Sequence, residues 1–384
     1  MIGASNALSI LFGNGWGMRI PMLFRICLRP RPRRIAAADR DAFLAGSRRR
    51  GWALIAAGLL VQICSAWPVL GADGTEVRLQ FRRPSEIPFP DDNPYSKAKT
   101  ELGRKLFFDP GLSGTGSHAC VTCHLPEVAW TDGNARAIGW AGTVLPLRSP
   151  SLLNVAWLDR LGWDGKFPDL ESVAFTPLLS PANMHQTEPE LLAKLQADPD
   201  YAAQFRTAFG GDGITRRRIE LALANFERTI VSAVAPFDRW IDGDEQAIPE
   251  TAKRGFVLFT GKANCVACHM SWNFTEGAFY DIGLAGDGEI GRGRAFPNSI
   301  KLRHAYKVPT LRDVARRGPY MHDGPLADLD AVIAFYNKGG RERPSRSELI
   351  RPLGLTDTER ADLRAFLETL TGDRDTRPAA VSDK

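Results

Sequence analysis

Apolar residues recur along this 384-residue chain at the spacing of helix faces. Ala98, Leu102 and Leu106 predict a helix over residues 97–107, stopped by Asp109-Pro110-Gly111. Thr187 and Glu190 form a capping box, so a helix through Leu191, Leu192 and Leu195 is expected to start there. Ile219, Leu223, Phe226 and Ile230 predict a longer helix, and residues 252–259 predict one resembling the first. Thr356 with Glu359 caps a last helix carrying Leu363, Phe366, Leu367 and Leu370. These stripes read as core, residues 235–249 as a connection and 276–294 as glycine-rich loop. The pattern is that of a mainly α protein.

A different apolar run, residues 51–61, follows Arg48-Arg49-Arg50 and precedes the small residues Gly71-Ala72. It has the charged and apolar regions of a secretory signal, so residues 1–72 are expected to be removed. The competing reading is an uncleaved membrane anchor, but Gln62 and Ser65 interrupt the run. The roughly fifty residues ahead of the arginines are long for a signal, and Met18 or Met22 could be alternative starts. This segment also distorts the charge balance. It holds ten arginines against two acids, a net +8 out of a total of +5, which leaves −3 for residues 73–384. A net acidic body argues against nucleic acid as the partner. Residues 373–384 are a polar tail, expected to be disordered.

The chemistry sits in two short stretches, Cys120-Val121-Thr122-Cys123-His124 and Cys265-Val266-Ala267-Cys268-His269. In C-x-x-C-H, two thiols add across the vinyl groups of one haem and the histidine binds its iron. Four thiolates could instead hold one zinc, or each pair could be a redox dithiol. Neither alternative explains a histidine directly after both second cysteines. Each motif follows a predicted helix and a loop, so the order repeats. The expectation is two cytochrome c-type domains, residues 85–235 and 250–372, each around one covalent c-type haem. The other cysteines, Cys27 and Cys64, lie in the first 72 residues. Attachment of c-type haem outside the bacterial cytoplasm suits an exported, periplasmic protein.

Several stretches together resemble the bacterial dihaem cytochrome c peroxidases, and within them the MauG-like subgroup. They are Leu102-Gly103-Arg104-Lys105-Leu106-Phe107-Phe108-Asp109-Pro110, Trp163-Asp164-Gly165-Lys166, Phe226-Glu227-Arg228-Thr229, Pro309-Thr310-Leu311-Arg312 and Pro319-Tyr320-Met321-His322-Asp323-Gly324. The resemblance covers about residues 85–372. It implies two mainly helical cytochrome c folds packed face to face, with peroxide bound at the N-terminal haem and oxidising equivalents relayed or stored at the C-terminal one. Trp163 falls where the family places a tryptophan between the haems. A large core aromatic is the bland alternative.

His304, Met321, His322 and Tyr336 are all chemically able to be the second ligand of the C-terminal iron. The resemblance aligns Tyr336 with the position that is methionine in other family peroxidases and tyrosine in MauG. An anionic phenolate there would stabilise oxidised iron and lower its potential. In the loop after the first motif, the family's blocking histidine is replaced within Ala137-Ile138-Gly139-Trp140, so the N-terminal iron is expected to be open to peroxide without prior reduction. The family's distal glutamate aligns with Asn183 and its glutamine with Val173. An amide orients a peroxide but cannot move its proton. His185 could substitute, and Pro177 keeps the distal proline. The asparagine of an inter-haem calcium site is replaced in Leu147-Arg148-Ser149-Pro150, which puts calcium in doubt. An arginine side chain there could occupy the cation's place.

The reading is therefore an oxidoreductase that uses hydrogen peroxide. Its electrons would come from a small cytochrome c or cupredoxin, or, in the favoured MauG-like version, from a protein substrate. A non-catalytic dihaem electron carrier or redox sensor is the alternative, and a membrane is a partner only if the N-terminal segment is uncleaved.

Overall fold

In the computed structural model, which describes residues 78–211 and 213–373, the amphipathic stretches become helices close to where their spacing predicts them. The predicted signal segment and nearly all of the polar tail lie outside the described residues. Helix α1 (Lys97–Phe108) opens at Ser96, whose hydroxyl accepts the Lys99 N–H, and buries Leu102, Leu106 and Phe107. One turn, α2 (Cys120–Cys123), carries the first motif. Helices α3 (Phe175–Leu179), α4 (Glu188–Ala197), α5 (Pro199–Phe209) and α6 (Arg216–Arg228) complete the first half. The second half is built from α7 (Pro236–Ile241), α8 (Glu250–Thr260), α9 (Leu329–Lys338) and α10 (Asp357–Glu368). A two-stranded antiparallel sheet pairs β1 (Phe279–Tyr280) with β2 (Tyr306–Lys307). No described helix is long and apolar enough to cross a membrane.

Each motif has its own hydrophobic core. The first gathers Leu102, Phe107, Leu191, Phe205, Ile219 and Phe226, and Cys120 and Val121 pack against it. The second is built on Phe237, Phe256, Phe259, Phe274, Phe366 and Leu367, against which Cys265 and Val266 pack. Its rings meet edge-on or tilted, with Phe259 and Phe366 centroids 5.0 Å apart, an arrangement that adds about 0.5–1.5 kcal/mol per pair to the area buried.

One device closes both cores. Gly103 of α1 lies against α6 so closely that a Cβ there would stand 1.9 Å from the Ala222 carbonyl oxygen. Gly255 of α8 meets α10 in the same way, 2.0 Å from the Asp362 carbonyl oxygen. Helix propensity alone favours alanine over glycine by about 1 kcal/mol. Backbone oxygen cannot rotate aside, so the clash outweighs that gain. Gly103→Ala is expected to lower stability by about 1–3 kcal/mol, read as a lower denaturation midpoint; an unchanged or raised midpoint contradicts the tight crossing.

Two local expectations are corrected. Residues 235–249 are not a bare connection, because α7 buries Phe237, Trp240 and Ile241 in the second core; six residues are too few to display a helical period. Thr187 does begin α4, but its side chain makes no capping bond to backbone. Its hydroxyl donates to Glu190 Oε2 at 2.8 Å instead, while Gln186 Oε1 accepts the Thr187 N–H. Residues 199–209 add a further helix, α5, which starts at Asp198, whose carboxylate accepts two backbone N–H groups.

Candidate haem sites and the recess between them

Local hydrogen bonds orient both motif histidines. His124 Nδ1 lies 3.2 Å from the Trp130 carbonyl oxygen, and His269 Nδ1 lies 2.8 Å from that of Phe274. A carbonyl only accepts, so Nδ1 carries the proton in each ring and Nε2 keeps the lone pair a metal needs. Burial reinforces the neutral form: it lowers the pKa of His124 and brings that of His269 down to about 4. Burial also pushes the Cys120 and Cys265 thiols up to about 12. As free side chains both therefore stay protonated.

Around the first motif, the loop that lacks a histidine is stitched to the turn that carries Asn183. The Trp140 N–H donates to the Asn183 carbonyl at 2.8 Å, and Cys123 Sγ lies 3.9 Å from the Ile138 carbonyl. Pro177, in α3, accepts the Met184 N–H through its carbonyl at 3.2 Å. Asn183 and Pro177 thus belong to one turn system that reaches the motif through residues 138–140. His185 is exposed, stacks on the Trp140 ring with centroids 4.2 Å apart, and holds the Pro181 carbonyl through Nδ1 at 3.2 Å. Val173 packs against the small cluster of Val155, Leu161 and Leu170. Behind this turn system, Glu171 is clamped by Arg228 of α6 in two bonds of 2.8 and 2.9 Å, both side chains being buried. A bidentate pair of this kind fixes direction as well as distance.

Sequence reasoning passed over Glu227, naming it only within a family stretch. It follows Phe226 in α6, its carboxylate has no hydrogen-bond partner among the described residues, and its charge is felt at Cys120. Burial pushes its pKa up to about 8. The unfolded chain ionises near 4.5 while the fold keeps the proton, so the stability this group contributes is complete below 4.5 and is lost as pH rises towards 8. Glu227→Gln removes that loss. Its Tm relative to wild type is expected to climb between pH 5 and 8, by about 2–4 °C for each kcal/mol; a difference independent of pH counts against the buried acid.

The second motif opens onto a large recess. Cys265, Cys268 and His269 line it together with Tyr336 of α9, and its far wall comes from the first half: Thr131, Arg148, Ser149 and Trp163. Tyr336 is half-buried, its hydroxyl has no hydrogen bond among the described residues, and burial together with the two motif sulfurs raises its pKa. The other candidate ligands, His304, Met321 and His322, also line the recess; His304 keeps its Nε2 free among the described residues, whereas the Nε2 of His322 is engaged. His304 Nδ1 lies 2.5 Å from the Glu289 carbonyl oxygen. His322 Nε2 is 3.1 Å from Glu289 Oε1, and its ring stacks on Tyr306 with centroids 3.7 Å apart. Trp163 is held from both sides, its indole N–H donating to the Arg148 carbonyl at 3.0 Å and its own carbonyl accepting the Lys307 N–H of β2 at 2.8 Å. Thr131, at the far edge, adjoins the Trp130 carbonyl that orients His124. One continuous wall therefore connects Tyr336, Trp163 and the support of the first histidine.

Two c-type haem sites, each with a core, an oriented histidine and paired thiols, define a dihaem c-type cytochrome. The family model described as di-haem cytochrome c peroxidase matches residues 97–246, and that described as cytochrome c matches residues 252–371. The chain belongs to the di-haem cytochrome c peroxidase family and is a peroxidase-type oxidoreductase. It is 46% identical over 340 residues to methylamine utilization protein MauG of Methylorubrum extorquens, spanning 86% of this chain and 95% of the relative. The protein of that name from Methylophilus methylotrophus is 45% identical over 298 residues, 77% of this chain and 89% of its own. A solved structure of a MauG-like protein associated with microbial copper homeostasis superposes with a TM-score of 0.71 at 32% identity, over 76% of this chain and 94% of that one.

Proposed function

We propose that this enzyme is a periplasmic, MauG-like oxidoreductase. In this reading it reacts with hydrogen peroxide at the N-terminal haem and draws electrons through the C-terminal haem from side chains of a protein partner. Tyr336 carries the reading: its phenol lies in the recess of His269, without a hydrogen-bond partner among the described residues and close enough to Cys265 and Cys268 for their charge to be felt. His269 and Tyr336 would hold the C-terminal haem iron, and a phenolate ligand would favour the oxidised state, as a store of oxidising power requires. Relatives named for methylamine utilization support a MauG-like role, and a relative named cytochrome c551 peroxidase supports peroxide as the oxidant. The predicted secretory signal supports export.

When bound, the two haems supply iron-centred redox chemistry. The chain's own groups bind and orient. The Trp130 and Phe274 carbonyls fix the protons of His124 and His269 on Nδ1. Asn183 offers an amide that orients a bound peroxide without moving a proton. Pro177 belongs to the same turn, its carbonyl holding the Met184 N–H. Trp163 stands in the wall between the halves as an oxidisable ring.

Hydrogen peroxide mixed with the fully oxidised protein tests the reading. A fast spectral change without added reductant is expected. Reaction only after partial reduction would favour a peroxidase fed by a small cytochrome or cupredoxin, and inertness would refute peroxide chemistry.

A further inference from the structure

Arg148 and Arg317 are both buried, at 5% and 8% exposure, and both line the recess of the C-terminal haem. Neither makes an ion pair with a carboxylate among the described residues. Arg148 Nη2 donates to the Arg317 carbonyl at 2.9 Å, and Arg317 Nη2 donates to the Thr310 carbonyl, both neutral acceptors. Arg317 Nε is buried with no acceptor among the described residues. The two guanidiniums repel each other, and burial with that repulsion brings Arg317 down to about 10. A third cation, Lys307, lines the same recess and is pushed down to about 8 by burial. Asp132 is felt at Arg148 and Asp313 at Arg317, but neither carboxylate stands at ion-pair distance; buried charge so incompletely paired is costly, and arginine cannot relieve it by losing its proton. Charge-assisted pairing with carboxylates relieves it.

We propose that Arg148 and Arg317 form a fixed dicationic site in the wall between Trp163 and the C-terminal haem, which receives the haem's carboxylate side chains and takes the place of a divalent metal ion. Calcium does not fit here. It needs six to eight oxygen ligands, whereas the turn at 147–150 points a guanidinium into this wall and that guanidinium already occupies the Arg317 carbonyl. The backbone holds Arg148 in position: its N–H donates to the His322 carbonyl at 3.0 Å and its carbonyl accepts the Trp163 indole. The two positive charges match those of the ion they replace, and they cannot be removed by a chelator. The inference rests on haem occupancy alone and not on the peroxide reading.

The test uses the holoprotein with both haems attached and no peroxide, so failure of the peroxide reading leaves it intact. Positive charge beside a haem favours its reduced state, so Arg148→Gln and Arg317→Gln should each shift the C-terminal haem's reduction equilibrium about tenfold towards the oxidised form, about 59 mV for one electron. Arg148→Lys should restore most of it, which loss of packing alone would not allow. In the wild type, exhaustive calcium chelation should leave both haem spectra and potentials where they are. The proposal is overturned if both Gln variants stay within twofold of wild type, if Arg148→Lys shifts as far as Arg148→Gln, or if chelation changes the wild type and added calcium restores it. The chelation measurement decides even if the variants fail to fold.

Discussion

Replacing Tyr336 with phenylalanine is expected to change the absorption spectrum of the C-terminal haem and raise its reduction potential, leaving the N-terminal spectrum as it is. The substitution keeps the ring and removes one oxygen. That oxygen sits in the recess of His269 and near both motif sulfurs, without a competing hydrogen bond. Burial and the sulfurs' charge both oppose a phenolate. Thioether formation removes the second of these, and iron supplies a positive charge that outweighs the first. Losing an anionic ligand removes its preference for oxidised iron, so the reduction equilibrium should move at least tenfold towards the reduced form, about 59 mV or more. An unchanged spectrum and potential would remove Tyr336 from the iron and, with it, the MauG-like reading.

Trp163→Phe should leave both haem spectra in place and slow the exchange of oxidising equivalents between them by at least tenfold. Phenylalanine fills most of the same volume but is harder to oxidise, and it has no N–H to hold the Arg148 carbonyl. The rate at which the C-terminal haem becomes oxidised after peroxide meets the N-terminal one reads the effect directly. A rate equal to wild type would make Trp163 a packing residue of the recess wall.

Much of the fold was legible because it is local. The stripes at Leu102 and Leu106, at Ile219, Leu223 and Phe226, and at Leu363 and Phe366 all became buried helix faces. The C-x-x-C-H motifs announced their chemistry because all their atoms lie within five residues. Short elements escaped: α7 is six residues long and each strand only two. The walls of the site escaped for another reason. Arg148 and Arg317 are 169 positions apart, and Glu227 reaches Cys120 from the far end of α6. Neither pairing leaves a periodic trace, so only the folded chain reveals which charges face the recess. Tyr336 was legible through resemblance, whereas its lack of a competing partner was not.

The glycine crossings also carry a consequence for how the protein matures. Helices α6 and α10, which close the two cores, begin 92 and 88 positions after the final histidines of their motifs. A chain threading out from its N-terminus therefore exposes each pair of thiols to the attachment machinery well before the helix that will close over that core has emerged. Gly103 and Gly255 then let the helices seat on Ala222 and Asp362. In an exported chain that emerges N-terminus first, the first motif would be presented for haem attachment before the second.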